Sequence, residues 1–203
     1  MQPDMWQFEG KHLSKGMEFV CGVDEAGRGP LAGPVCAAAV ILPAYLDIPG
    51  LDDSKKLTDK RRRELFPVIL EKALAYGIAF SDHKEIDEIN ILQATYLAMD
   101  RAIKQLKIVP QIALIDGNRA GNFGLPVETV VKGDSLSASI AAASVLAKVT
   151  RDDYMLEMDK KYPGYGFAVH KGYGTKAHYE ALSTLGPCEI HRMTFLKKLY
   201  GTE

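Results

Sequence analysis

Three short stretches of this sequence share one local grammar of apolar residues, a carboxylate and a glycine turn. They are Val23-Asp24-Glu25-Ala26-Gly27, Ile115-Asp116-Gly117 and Lys132-Gly133-Asp134. Open α/β sheets bind ligands at their strand ends, and carboxylates gathered there repel one another unless cations join them. Two divalent ions would balance Asp24, Glu25, Asp116 and Asp134 in charge. Hard oxygen ligands without nearby Cys or His pairs favour Mg²⁺ or Mn²⁺ over zinc. Each stretch also has a plainer reading: Asp116-Gly117 as a turn, Asp134 as a helix N-cap, Asp24-Glu25 as a solvated strand end. Their recurrence raises the joint reading above the single ones. Because Asp24 and Glu25 are adjacent, a regular strand points them to opposite faces. The expectation is therefore that the strand stops or bulges there, as Gly27-Arg28-Gly29-Pro30 suggests.

Groups suited to phosphate and sugar surround these acids. Gly27-Arg28-Gly29 can present backbone N–H groups without side-chain obstruction, although a lone glycine pair is also an ordinary turn. Ser54 and Lys55 bring a hydroxyl and a cation on a loop. Lys148 and Arg151, three apart on a helix, would share a phosphate-facing side. Arg61, Arg62 and Arg63 read as a solvated helix face. From Tyr162 to Lys176, aromatics, glycines and bases interleave, as in a nucleic-acid loop or in aromatic packing beneath a long connection.

The elements that must position these groups follow from periodicity and punctuation. Strands are expected over Phe19–Val23, Val35–Leu42, Gly77–Phe80, Ile112–Ile115 and Val127–Val131, the second a continuous apolar run of the kind covered on both faces. Helices are expected over Asp59–Ala75 behind a Thr58 cap, Glu85–Lys107 and Ser135–Lys160, with a helical remainder from Thr175. The small residues between Ser137 and Ser144 permit close packing of the third helix. The pattern is a mixed α/β fold.

Composition narrows the setting. A chain of 203 residues buries a core without disulfides, and 25 Lys and Arg against 26 Asp and Glu give no global field to attract a polyanion. Cys21, Cys36 and Cys188 form no CxxC pair, so they read as packing thiols of a reducing compartment. Charges interrupt residues 1–16 too often for a signal-peptide core, and prolines break the uncharged run Gly29–Leu46. The expected location is the cytoplasm.

From Val20 to Phe195 the chain resembles bacterial type 2 ribonuclease H, ribonuclease HII. The resemblance is carried by residues 22–35 (GVDEAGRGPLAGPV), 53–57 (DSKKL), Asp116-Gly117, residues 132–134 (KGD), the 141–152 segment and residues 170–176 (HKGYGTK). Residues 188–189 and 193–194 depart from the pattern, which touches only fine C-terminal contacts. The resemblance implies a ribonuclease H-like mixed sheet flanked by helices, with a catalytic core over 17–161 and a small helical C-terminal part over 162–203. It implies cleavage of RNA in RNA–DNA hybrids and at single ribonucleotides in duplex DNA, by a monomer, in ribonucleotide excision repair and replication. Asp24, Glu25, Asp116 and Asp134 would hold two metal ions; Gly27, Arg28 and Gly29 would read the ribose 2′-OH. Tyr173 would stack on the neighbouring sugar, and Ser54 and Lys55 would hold a phosphate. Two-metal hydrolysis would leave a 3′-hydroxyl and a 5′-phosphate. An actin-like kinase would need a second phosphate loop and an adenosine pocket that the sequence does not display. A non-enzymatic hybrid-binding module would have no reason to gather four acids.

Overall fold

The computed structural model describes residues 4–52, 54 and 56–201. Five strands form one sheet in the order β3-β2-β1-β4-β5: β1 (Val20–Ala26), β2 (Val35–Ile41), β3 (Ala75–Ser81), β4 (Ile112–Asp116) and β5 (Val127–Val130). β1, β2 and β3 pair antiparallel, whereas β4 and β5 run parallel to β1, so the sheet is mixed as expected.

β2 is buried at every position because its side chains feed two cores. Val35, Ala37, Ala39 and Ile41 join the core beneath α3 (His83–Lys104). Cys36, Ala38 and Val40 join the core shared by α2 (Asp59–Lys72) and α4 (Ala138–Lys161). Burying a residue such as Ile69 or Leu146 contributes roughly 2–3 kcal/mol. Small residues bring α4 down on β1. A Cβ on Gly22 would lie 2.2 Å from Ile140 N, so only glycine permits this approach.

The expected Thr58 cap forms, its side chain accepting from Arg61 N–H. At the start of α3 Asp82 and Glu85 make a reciprocal capping box that the sequence analysis does not anticipate. α3 kinks at Asn90, whose φ is 68°. Helix and strand ends shift by up to three residues from expectation, as at α4, which starts at Ala138 rather than Ser135. There Gly133–Ser135 makes a separate 3₁₀ turn, and Ser137, not Asp134, caps α4 by accepting from Ile140 N–H.

The sequence reading assigned no element to the first 16 residues. Here α1 (Gln7–Leu13) clasps the head of α4: Glu9 Oε1 accepts from Ser137 Oγ at 2.6 Å and from Ser139 N–H at 2.9 Å. After α4 come α5 (Phe167–His170), α6 (Lys176–Leu185) and α7 (Lys197–Tyr200). Leu31, Met155, Phe167, Leu182, Ile190 and Leu196 form a separate cluster beneath them. No helix among the described residues is long and apolar enough to cross a membrane.

Candidate active site

The strand neither stops nor bulges at its acids. β1 continues through Asp24 and Glu25 in unbroken register with β2, as Asp24↔Ala38 and Glu25↔Ala37. The two carboxylates therefore take opposite faces. Asp24 lies on the α4 face and is buried, while Glu25 takes the α3 side and accepts from Arg28 Nη1 at 3.4 Å. β1 and β4 pair in parallel as far as Val23↔Ile115. One residue further, Asp24 and Asp116 come side by side on one face.

The third acid arrives from the other end of the site. Asp116 Oδ1 accepts from Gly133 N–H at 2.7 Å, which ties the end of β4 to the 3₁₀ turn bearing Asp134. Among the described residues, Asp24, Asp116 and Asp134 form a group whose ligand oxygens lie within 4.8 Å of one another. Glu25 lies outside that group but lines the same cavity. Burial, and then the carboxylates of Glu25 and Asp116, hold Asp24 well above the usual carboxylate range. A buried all-oxygen cluster under that repulsion fits a hard divalent cation.

Asp24, Glu25 and Asp116 open into a cavity of about 390 Å³, whose walls include Gly27, Arg28, Gly29, Lys148 and Tyr173; Asp134 is not among the lining residues and joins the site through the acid cluster. Two further expected site residues need qualification. Lys55 lies outside the described residues. Ser54 is buried, and its hydroxyl sits 2.6 Å from Ser144 Oγ; Ser144 in turn hydrogen-bonds Asp24. Lys148 lines the cavity, and its Nζ donates to Asp152 at 2.8 Å.

Arg151 contradicts its expected role. It is 1% exposed, and its guanidinium donates to the carbonyls of Pro34 at 2.9 Å, Lys171 at 3.1 Å and Ala32 at 3.2 Å. The i, i+3 spacing with Lys148 was real, but the 27–34 loop and the end of α5 cover that side of α4. Arg62 is likewise no solvated residue: it lines the cavity and Nη1 holds the Ser54 and Leu57 carbonyls at 2.8 and 2.6 Å.

Gly27 has a structural reason of its own. Its φ is +96°, and a Cβ would lie 1.9 Å from Arg151 Nε. The loop after it is held by Arg192, which the sequence reading missed. Fully buried, Arg192 donates to the carbonyls of Gly27 at 2.6 Å, Arg28 at 2.9 Å and Gly33 at 2.9 Å. Burial, then the like charge of Arg151, pulls its guanidinium down to about 9, so it stays charged at neutral pH. No local pattern announces such a residue, because its partners lie some 160 positions away. The 162–176 stretch divides between its two readings. Tyr165 and Phe167 are buried and stack 5.3 Å apart, whereas Tyr173 is 44% exposed at the cavity.

Comparison with known proteins supplies an independent view. A family model described as Ribonuclease HII matches residues 21–198. A ribonuclease HII of Caldicellulosiruptor bescii is 55% identical over 194 residues, covering 96% of this chain and 94% of that protein. The one of Geobacter sulfurreducens is 56% identical over 194 residues, covering 96% and 89%. Among solved structures, the ribonuclease H2 of Pyrococcus horikoshii is 28% identical with a TM-score of 0.71, over 87% of this chain and 93% of that one.

Proposed function

Because this chain belongs to the ribonuclease HII family, a family of metal-dependent ribonucleases H, we propose that it cleaves the RNA strand of RNA–DNA hybrids and also single ribonucleotides embedded in duplex DNA. The observation that carries the reading is the convergence of Asp24, Asp116 and Asp134 at one end of the sheet, beside a glycine loop and an exposed tyrosine. In this reading Asp24, Glu25, Asp116 and Asp134 hold two divalent ions, Mg²⁺ or Mn²⁺. Such ions, when bound, supply a water of lowered pKa and charge stabilisation for the leaving oxygen.

The chain's own groups choose and orient the substrate. The Gly27-Arg28-Gly29 backbone faces the cavity and is assigned to the ribose 2′-OH, the one group that separates RNA from DNA at a single site. Tyr173 lies beside that loop, its ring 3.5 Å from where a Gly29 Cβ would be, and is assigned to the adjacent sugar. Lys148, Ser54 and Lys55 are assigned to backbone phosphates. Residues 162–203 complete the groove of the 17–161 core. Attack in line then leaves a 3′-hydroxyl and a 5′-phosphate without a protein nucleophile. The reading extends to a cytoplasmic monomer that acts in ribonucleotide excision repair and replication.

The test is cleavage of three duplexes, RNA–DNA hybrid, DNA with one ribonucleotide, and all-DNA, each with Mg²⁺, with Mn²⁺ and with chelator. Metal-dependent cutting of the first two alone is expected. Cutting of all-DNA at a comparable rate would remove the 2′-OH assignment, and cutting in chelator would remove the metal assignment.

A further inference from the structure

His170, His178 and His191 are buried in the layer that carries Tyr173. The His170 and His178 rings stack 4.4 Å apart, and Phe167 meets both edge-on, so neither ring is free to turn. Their hydrogen-bond partners fix where each proton sits. His178 Nδ1 lies 2.9 Å from the Tyr173 carbonyl oxygen, which can only accept, so Nδ1 carries the His178 proton. A neutral His178 must then accept at Nε2. Its neighbour there, at 3.0 Å, is His191 Nε2, which therefore donates. His191 is left with an unprotonated Nδ1, which accepts from the Cys188 N–H at 2.9 Å; the Cys188 carbonyl, 3.2 Å from the same nitrogen, is the longer contact that the opposite tautomer would use. With that assignment each donor from the Cys188 amide to the Tyr173 carbonyl meets an acceptor.

The same logic places the His170 proton on Nε2, facing the Tyr165 carbonyl at 2.8 Å, while Nδ1 accepts from Gly172 N–H at 3.2 Å. Gly172 directly precedes Tyr173. Burial lowers the pKa of both relay rings, His191 to about 4, which keeps them neutral at neutral pH. A charged His178 would reverse the relay, since both of its nitrogens would then donate.

We propose that His178 and His191 are positioning residues for Tyr173, joined in a one-way hydrogen-bond relay from the Cys188 amide to the Tyr173 carbonyl that fixes the backbone from which the ring meets the substrate. The proposal rests on the assignment of Tyr173 to the substrate. Neither histidine lines the cavity, so both act through the tyrosine.

Nitrogen NMR of the full chain, labelled at its histidine rings, reads the relay without reference to activity. At neutral pH, His178 is expected as the Nδ1–H tautomer, and His170 and His191 as Nε2–H. An Nε2–H or charged His178 would overturn the relay, whether or not any variant folds. His178→Phe keeps the ring's shape and removes both nitrogens. It should slow single-turnover cleavage of a duplex with one ribonucleotide on the order of tenfold, the loss typical of removing an orienting group. Binding measured in Ca²⁺ should hold. His178→Asn, which retains a donor near Nδ1, should recover most of the rate. In a Tyr173→Ala background, His178→Phe should cost nothing further. An equal loss in both backgrounds means general damage and overturns the proposal. Parental cleavage by Tyr173→Ala removes the assignment of Tyr173 itself and leaves the tautomers as a structural fact only.

Discussion

The acids and the wall beside them share one site but are held there by different means. Asp24 and Asp116 owe their places to main-chain ladders, and the Gly133 N–H joins Asp134's turn to them. The 27–34 loop and Tyr173 have main-chain bonds too, with Leu31 N–H donating to Gly172, Gly33 N–H to Ile190 and Arg192 N–H to Leu31, but they lean besides on side chains reaching to main-chain carbonyls: Arg192 to Gly27, Arg28 and Gly33, Arg151 to Ala32, Pro34 and Lys171, and His178 to Tyr173. A ladder tolerates many side chains and fixes position through register. A buried guanidinium tolerates almost none, because truncating it strands several carbonyls without donors. Apart from the close approaches at Gly22 and Gly133, the catalytic half should thus resist substitution around it, and the recognition half should be brittle.

The sharpest break is chemical. Asp24→Asn should lower cleavage on the order of 10³-fold or more while binding in Ca²⁺ persists, since the ladder does not need the charge. The metal-free protein should melt higher, by about 1 kcal/mol of stability, because burial and two neighbouring carboxylates disfavour that charge. A lower melting temperature would mean that Asp24 is structural. The next test strikes the wall. Gly27→Ala puts a Cβ into the Arg151 side chain at a positive φ and should cost about 3 kcal/mol or more in a denaturant titration. A neutral effect would show the wall to be as tolerant as the sheet.

Tyr173→Ala should reduce single-turnover cleavage on the order of 100-fold with little change in Ca²⁺ binding, and Tyr173→Phe should be milder. A loss seen only in binding would return Tyr173 to the packing aromatics. Acid should then loosen the wall before the sheet. With native pKa values below the unfolded 6.5, His178 and His191 contribute full stability above that pH and lose it as pH falls toward about 4. Fluorescence melts between these limits check the direction. The smallest effect belongs to Lys148→Ala, which should weaken binding to all hybrids alike and reduce the salt slope by about one phosphate. An unchanged slope would leave Lys148 to its Asp152 partner.

The same contrast explains what could be read in advance. The acid grammar is local: a strand, a carboxylate and a glycine within five residues, which is why Asp24, Asp116 and Asp134 were found together. The expected bulge at Asp24-Glu25 was an error of economy, because it assumed one site must use one face. Continuous register instead sets Glu25 on the α3 side beside Arg28. Arg151 misled because helix spacing reports a shared face and not what covers it. α1 lacks apolar periodicity; its role depends on Glu9, an acid whose partners Ser137 and Ser139 lie far along the chain. Arg192 was unreadable for that same reason.

The bond from Arg192 to the Gly27 carbonyl spans 165 positions, and this separation imposes an order in time. During synthesis, the strands bearing Asp24 and Asp116 and the turn bearing Asp134 all emerge before residue 192 exists. Domains fold as their segments appear, and a long closure waits for its last partner. The nascent protein therefore acquires its acids first and its means of choosing a substrate last.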